Sequence, residues 1–264
     1  MAVVETERHG QIFIIRMNRP ERLNAMGREL MEALAEQWTL FRKDPDLEVA
    51  IFTGTGRGFC AGEDMKESLE EGSPTDPETT IDDPFMSQEL KKPVIAAING
   101  YAMGGGFMLV ERTDLRVASS NAIFEVSEAK RWLLGGYNHG TIANLPYPIA
   151  MEMALGFRFT AERFYELGFL NRVVEPEKLI PTALEMAEHL LTLPPAARVN
   201  TVHMMRQMRP NTTKQQDLLA DALDFELPNT LVEDEYQSVC LAMKPNQENL
   251  NEKKDKANDE GMSK

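Results

Sequence analysis

The chain has 264 residues, with 28 Lys and Arg against 42 Asp and Glu and a formal net charge of −14. That length fits one large domain, or a domain with a small helical annex. The acidic balance argues against nucleic acid, whose phosphates need a concentrated basic face. A composition of 42% hydrophobic and 27% charged residues is that of a globular chain, and no apolar stretch is long enough to cross a bilayer, so no membrane partner is expected. The opening residues MAVVETERHG bring in acids at once and do not read as a signal peptide. Cys60 and Cys240 lie far apart and match no metal spacing or disulfide framework. They read as reduced thiols of a cytoplasmic protein.

In chain order, Val3 to Glu7 and Gln11 to Met17 read as the two arms of a hairpin closed by Asn18-Arg19-Pro20. Met26 to Phe41 repeats apolar residues every three or four positions and predicts an amphipathic helix. Val49 to Phe52 is a short buried strand, followed by a glycine-broken loop from Thr53 to Gly58. Glu67 to Pro84, rich in Glu, Asp, Pro, Ser and Thr, predicts a mobile surface loop with a helix fragment. Pro93 to Ile98 is another buried strand, and Leu115 to Ala118, Ala122 to Glu125 and Val173-Val174 are further strand candidates. Helical periodicity covers 146–156, 161–168, 177–192, 196–208 and 214–224, and the polar tail after Pro245 predicts a frayed end. Strands alternating with helices, then a helical C-terminal third, predict an α/β fold.

Three segments carry chemistry. Gly58 to Lys66 (GFCAGEDMK) and Asn99 to Phe107 (NGYAMGGGF) each read as a small-residue turn between a strand and a helix. Helix starts leave backbone N–H groups unpaired, and two that face each other could hold one carbonyl oxygen as it gains charge. Either one alone reads more readily as an ordinary tight turn. The third segment, Phe124 to Lys130, brings Glu128 before the glycine-rich stretch Gly135 to Thr141. A carboxylate there can act as a general acid or base if it faces a partly apolar pocket, or be a solvated surface acid.

Taken together, NRPERLNAM at Asn18 to Met26, FCAGEDMK at Phe59 to Lys66, KPVIAAINGYAMGGG at Lys92 to Gly106, DLRVAS at Asp114 to Ser119 and LGFLNRVV at Leu167 to Val174 resemble the enoyl-CoA hydratase/isomerase (crotonase) family. The resemblance implies a crotonase-like spiral of ββα units with a helical C-terminal region. Residues 1–195 would form the acyl-CoA-binding core, and 196–264 a helical trimerisation region with a polar tail. It implies an acyl-CoA thioester substrate, coenzyme A entering only as part of that substrate, no resident cofactor or metal, and a homotrimer or dimer of trimers.

Carried over by position, the oxyanion-hole donors would be the N–H groups of Glu63 and Gly105. The family usually has a small residue at the first of these, so the Glu63 carboxylate is expected to point away from a developing oxyanion. Arg22, Ala25, Ala61, Asp64, Met65 and Lys66 would line the thioester, pantetheine and CoA phosphates, although Arg22 and Lys66 could also be solvated surface charges. Of the two glutamates that the family's hydratases use, Glu128 is present and Met108 stands in place of the other. Glu111, a turn after Met108, could partly substitute for the missing glutamate, but reads better as a surface or subunit-contact acid. Met108, Trp132, Tyr137, Asn138 and His139 would border the acyl pocket; His139 could orient water, bind a polar acyl group, or be a solvated loop residue. The implied function is an acyl-CoA lyase of the hydratase type. A double-bond isomerase is the alternative, followed by a thioester hydrolase or decarboxylase, or a non-catalytic acyl-CoA binder.

Overall fold

The computed structural model describes residues 2–71, 81–131 and 145–208. An antiparallel hairpin, β1 (Val4–His9) and β2 (Ile12–Met17), opens the chain. Strand β2 then pairs in parallel with β3 (Val49–Gly54), β3 with β5 (Val94–Ile98), β5 with β7 (Leu115–Ser119), and β7 with β10 (Arg172–Val174), completing a six-stranded sheet in the order β1-β2-β3-β5-β7-β10. Strands β3 and β5 are buried along their whole length. This is why they appear in the sequence as unbroken apolar runs, as parallel strands covered on both faces do.

Alternate residues face opposite layers. Phe13, Ile15, Ala50, Phe52 and Ala96 face the larger core, which also holds Leu30, Leu34, Trp38 and Phe41 of α1 (Arg28–Lys43). Ile12, Ile14, Val49, Ile51 and Ile95 face the other way, toward the Leu179, Ala183 and Ala187 side of a C-terminal helix (Leu179–Leu191).

Each of the central strands β3, β5 and β7 hands the chain to a three-residue strand of a second sheet: β4 (Gly58–Cys60), β6 (Tyr101–Met103) and β8 (Ile123–Glu125). The first two continue into helices α2 (Met65–Glu71) and α3 (Gly105–Glu111), and β8 leads to a 3-10 turn at Glu128–Arg131. The second sheet is parallel across β4, β6 and β8, and β9 (Phe159–Thr160) pairs antiparallel at its edge. This repeated strand-strand-helix turn is the expected spiral of ββα units.

The glycine turns therefore follow short strands of the second sheet, not the central strands as the sequence suggests. The first helix likewise begins at Arg28 and not Met26, because Met26 is paired with Glu63 in a parallel bridge.

Toward the C-terminus lie α4 (Tyr147–Ala154), α5 (Ala161–Glu166), α6 (Leu179–Leu191) and α7 (Pro195–Gln207). Helix α7 is fixed to the core by two little-exposed arginines. Arg198 pairs with Glu48 at 2.5 Å, and Arg206 meets Asp114 at 2.5 Å and also donates to the Leu90 carbonyl. The expected helix at 214–224, the polar tail, and the central part of the loop at 67–84 lie outside the described residues.

Candidate active site

The two glycine turns meet. Gly62 takes a φ of +89°, and a Cβ there would stand 2.9 Å from the Met103 carbonyl and 3.3 Å from the Gly105 nitrogen. Only glycine tolerates both that conformation and that approach. In the parallel bridge, the Met26 N–H donates to the Gly62 carbonyl at 2.7 Å and the Asp64 N–H to the Met26 carbonyl at 2.9 Å. The intervening Glu63 therefore turns its own N–H away from Met26. Gly105 is the first residue of α3, so its N–H has no partner within the helix. A Cβ on Gly105 would lie 3.9 Å from the Glu63 nitrogen. Among the described residues neither amide donates to another backbone group. Two donors this close together are able to serve one oxygen that gains negative charge.

The Glu63 carboxylate accepts a hydrogen bond from the Ser68 hydroxyl at 2.5 Å, five residues further along the chain on α2. Asp64 is buried, with 3% of its side chain exposed, and takes Arg19 Nη2 at 3.1 Å and Arg22 Nε at 3.3 Å, with Arg22 Nη2 on its other oxygen. Burial alone would push the Asp64 pKa up. The hydrogen bond and charge of Arg22, joined by Arg19 and a weak bond from the Glu67 N–H, outweigh it and hold the carboxyl below its ordinary value. Arg22 is raised in turn, chiefly by its hydrogen bond to Asp64.

The Asp64 side chain is thus paired with two arginines at the place where the sequence expects the substrate to be lined. Arg22, 39% exposed, divides its guanidinium between Asp64 and solvent. The pair ties the turn at 19–25 to the turn at 61–65. That turn is further held by Arg19 Nη1 on the Ala25 carbonyl at 2.8 Å and by the Ala61 N–H on the Leu23 carbonyl at 3.0 Å. Leu23 and Asn24 both take positive φ there, and Asn24 anchors the bend by donating to the Thr55 and Gly58 carbonyls. The structure therefore brings Arg22, Ala25, Ala61, Asp64, Met65 and Lys66 to one place; Ala25 is buried, Ala61 and Met65 half-buried and Lys66 exposed.

Glu128 opens the 3-10 turn beyond β8. A Cβ on Gly104 would sit 3.3 Å from Glu128 Oε1 and 3.3 Å from Ser127 Oγ, so the carboxylate lies one residue from the Gly105 N–H. Gly104 is fixed in turn by its N–H on the Glu125 carbonyl at 2.8 Å. The Glu125 side chain is buried and paired with Arg158 at 2.6 Å and Lys130 at 3.2 Å.

Met108 is half-buried on α3, its N–H donating to the Gly104 carbonyl. Glu111 is only 5% exposed, which corrects the expectation of a surface acid: the end of α3 packs inward, where Arg116 donates to the Glu111 carbonyl. Trp132, Tyr137, Asn138 and His139 lie outside the described residues. Arg19, Met26, Ser68 and Ser127 were not singled out from the sequence. For Arg19 and Met26 the reason is that their contacts, with Asp64 and Glu63, reach far along the chain, where no local pattern reports them.

Among the described residues, no three His, Cys, Asp or Glu side chains gather in a way that could hold a metal ion, and no helix is long and apolar enough to cross a membrane. An open cavity of about 430 Å³ lies elsewhere, bordered by Arg57, Tyr101, Ser119 and Leu179, and none of the expected site residues line it.

This arrangement of ββα units is that of the crotonase fold. A model of the enoyl-CoA hydratase/isomerase family matches residues 7–231, and the chain belongs to that family. It is 36% identical over 215 residues to an enoyl-CoA hydratase of Mycobacterium tuberculosis, covering 75% of this chain and 80% of that protein. It is 38% identical over 208 residues to the (E)-benzylidenesuccinyl-CoA hydratase of Thauera aromatica, covering 73% of this chain and 77% of that one. The solved structure of a carnitinyl-CoA dehydratase from Mycobacterium avium superposes with a TM-score of 0.77 at 27% identity, covering 90% of this chain and 95% of that structure. The chain is an enzyme of the hydratase/isomerase family.

Proposed function

We propose that the protein adds water to, or removes it from, an α,β-unsaturated coenzyme A thioester. The observation that carries this reading is the closeness of the Glu63 and Gly105 amides, next to the glycine against which the Glu128 carboxylate packs. The thioester oxygen accepts hydrogen bonds from both amides, which form the oxyanion hole. As water bonds to the β carbon, the electron pair of the double bond moves into the thioester, which becomes an enolate stabilised by those donors. Glu128 takes one proton from the water and returns it to the α carbon, so one molecule of water is added and the carboxylate is regenerated. The hydration activities named for its relatives support this over double-bond isomerisation.

Lys66, exposed beside the site, and the solvent-facing part of Arg22 serve the CoA phosphates, and coenzyme A enters only as part of the substrate. Met108 borders the acyl group. Subunits associate as a homotrimer or dimer of trimers. Tyr147 and Met151 on α4 and Leu155 at its C-cap, spaced by four and 41–68% exposed, offer an apolar stripe for that contact. A cytoplasmic setting agrees with the free thiol of Cys60, whose burial pushes its pKa up to about 12 and leaves it inert.

The test is a panel of straight-chain, cyclic and aromatic enoyl-CoA thioesters scored by mass. Gain of water is the expected result. Isomerisation without water uptake, or release of free CoA, would replace this reading with another of the family's chemistries.

A further inference from the structure

A single carboxylate can take a proton from water, but it does not by itself fix the direction of the water's lone pair. A water molecule donates two hydrogens, and a second acceptor is needed to hold it for attack. Met108 cannot provide one, and Glu125 is engaged by Arg158 and Lys130. Glu128 Oε1 and Ser127 Oγ both pack against Gly104, each 3.3 Å from where a Cβ on that residue would stand, so the two oxygens lie near each other at the turn.

We propose that Ser127 is a further catalytic residue, whose hydroxyl accepts the second hydrogen of the water that Glu128 activates. The inference rests on the hydratase reading above and supplies the acceptor that Met108 leaves out. The attacking water gives one hydrogen to the Glu128 carboxylate and directs the other at Ser127 Oγ, which leaves its lone pair facing the β carbon. The serine neither gains nor loses a proton in the cycle. A capping role at the 3-10 turn is the competing explanation for a serine here. The turn's backbone bond, from the Lys130 N–H to the Ser127 carbonyl at 3.1 Å, is one that alanine would keep.

The experiment compares wild type, Ser127→Ala and Ser127→Thr in two reactions. One is hydration of an enoyl-CoA; the other is exchange of the α proton of the corresponding saturated acyl-CoA in deuterated water, which needs the carboxylate and the amides but no attacking water. Ser127→Ala is expected to lower the kcat of hydration roughly 10- to 100-fold while leaving exchange within about twofold, and Ser127→Thr to restore hydration. Hydration at the wild-type rate in Ser127→Ala would overturn the proposal. A parallel loss of hydration and exchange would overturn it too, and assign the serine to the turn. Wild-type enzyme that hydrates nothing in the panel removes the hydratase reading itself, and the serine's role with it, before any variant is made.

Discussion

The carboxylate of Glu128 packs against the backbone of Gly104, so closely that a Cβ on Gly104 would stand 3.3 Å from its Oε1. Gly104 takes a φ of +51° with a ψ of −124°, a combination glycine adopts far more readily than other residues. The proposed base and an amide of the proposed oxyanion hole are therefore held in register by one residue without a side chain. Gly104→Ala is expected to destabilise the fold by about 1–3 kcal/mol through backbone strain. The new methyl would also displace the carboxylate, lowering kcat for enoyl-CoA hydration roughly 10- to 100-fold with a smaller effect on KM. Thermal unfolding and steady-state kinetics of the variant check both effects.

The Arg19–Asp64–Arg22 cluster is a positioning device for the Glu63 amide, since it joins the turn carrying Met26 to the turn carrying Glu63. Asp64→Asn removes the charge that gathers the two arginines and is expected to cost about 1–2 kcal/mol, reduced by the partial exposure of Arg22. The pH dependence has a definite sign. The Asp64 carboxyl is depressed in the folded protein, so its stabilisation is fully present above the ordinary aspartate value of about 3.9 and is lost as pH falls through the lower folded value. The gap in Tm between wild type and Asp64→Asn should therefore be constant near neutrality and close below about pH 4. A gap that widens in acid would contradict this account.

The long central strands and most helices were legible in the sequence because their apolar runs and periodicity are continuous. Strands β4, β6 and β9 were not: β4 and β6 lie inside glycine-rich stretches that read as turns, and β9 has only two residues. The Glu63, Gly105 and Glu128 positions came from family motifs, and their spatial proximity only from the fold. The pairing of Asp64 with Arg19 and Arg22 was not legible, because these partners lie 45 and 42 residues earlier and nothing local reveals it. Glu111 was misread because a glutamate at the end of a short helix has no sequence mark of burial. The expectation that the Glu63 side chain points away from the paired amides has a physical counterpart in its bond to Ser68.

The stripe of Tyr147, Met151 and Leu155 offers an apolar face that water covers poorly in an isolated chain. Met151→Lys places a charge at its centre and is expected to shift the protein toward monomers without loss of helix content. Light scattering coupled to size exclusion, with circular dichroism as the control, reports the change. An unchanged mass would place the subunit contact elsewhere.

The central claim is that Glu128 moves the proton while the Glu63 and Gly105 amides hold the thioester oxygen. Its most direct test is the hydration rate of Glu128→Gln on the best enoyl-CoA of the panel, with CoA-thioester binding measured alongside by calorimetry. The account predicts a kcat lower by about 10²- to 10⁴-fold with binding retained. Hydration at the wild-type rate by Glu128→Gln would contradict it.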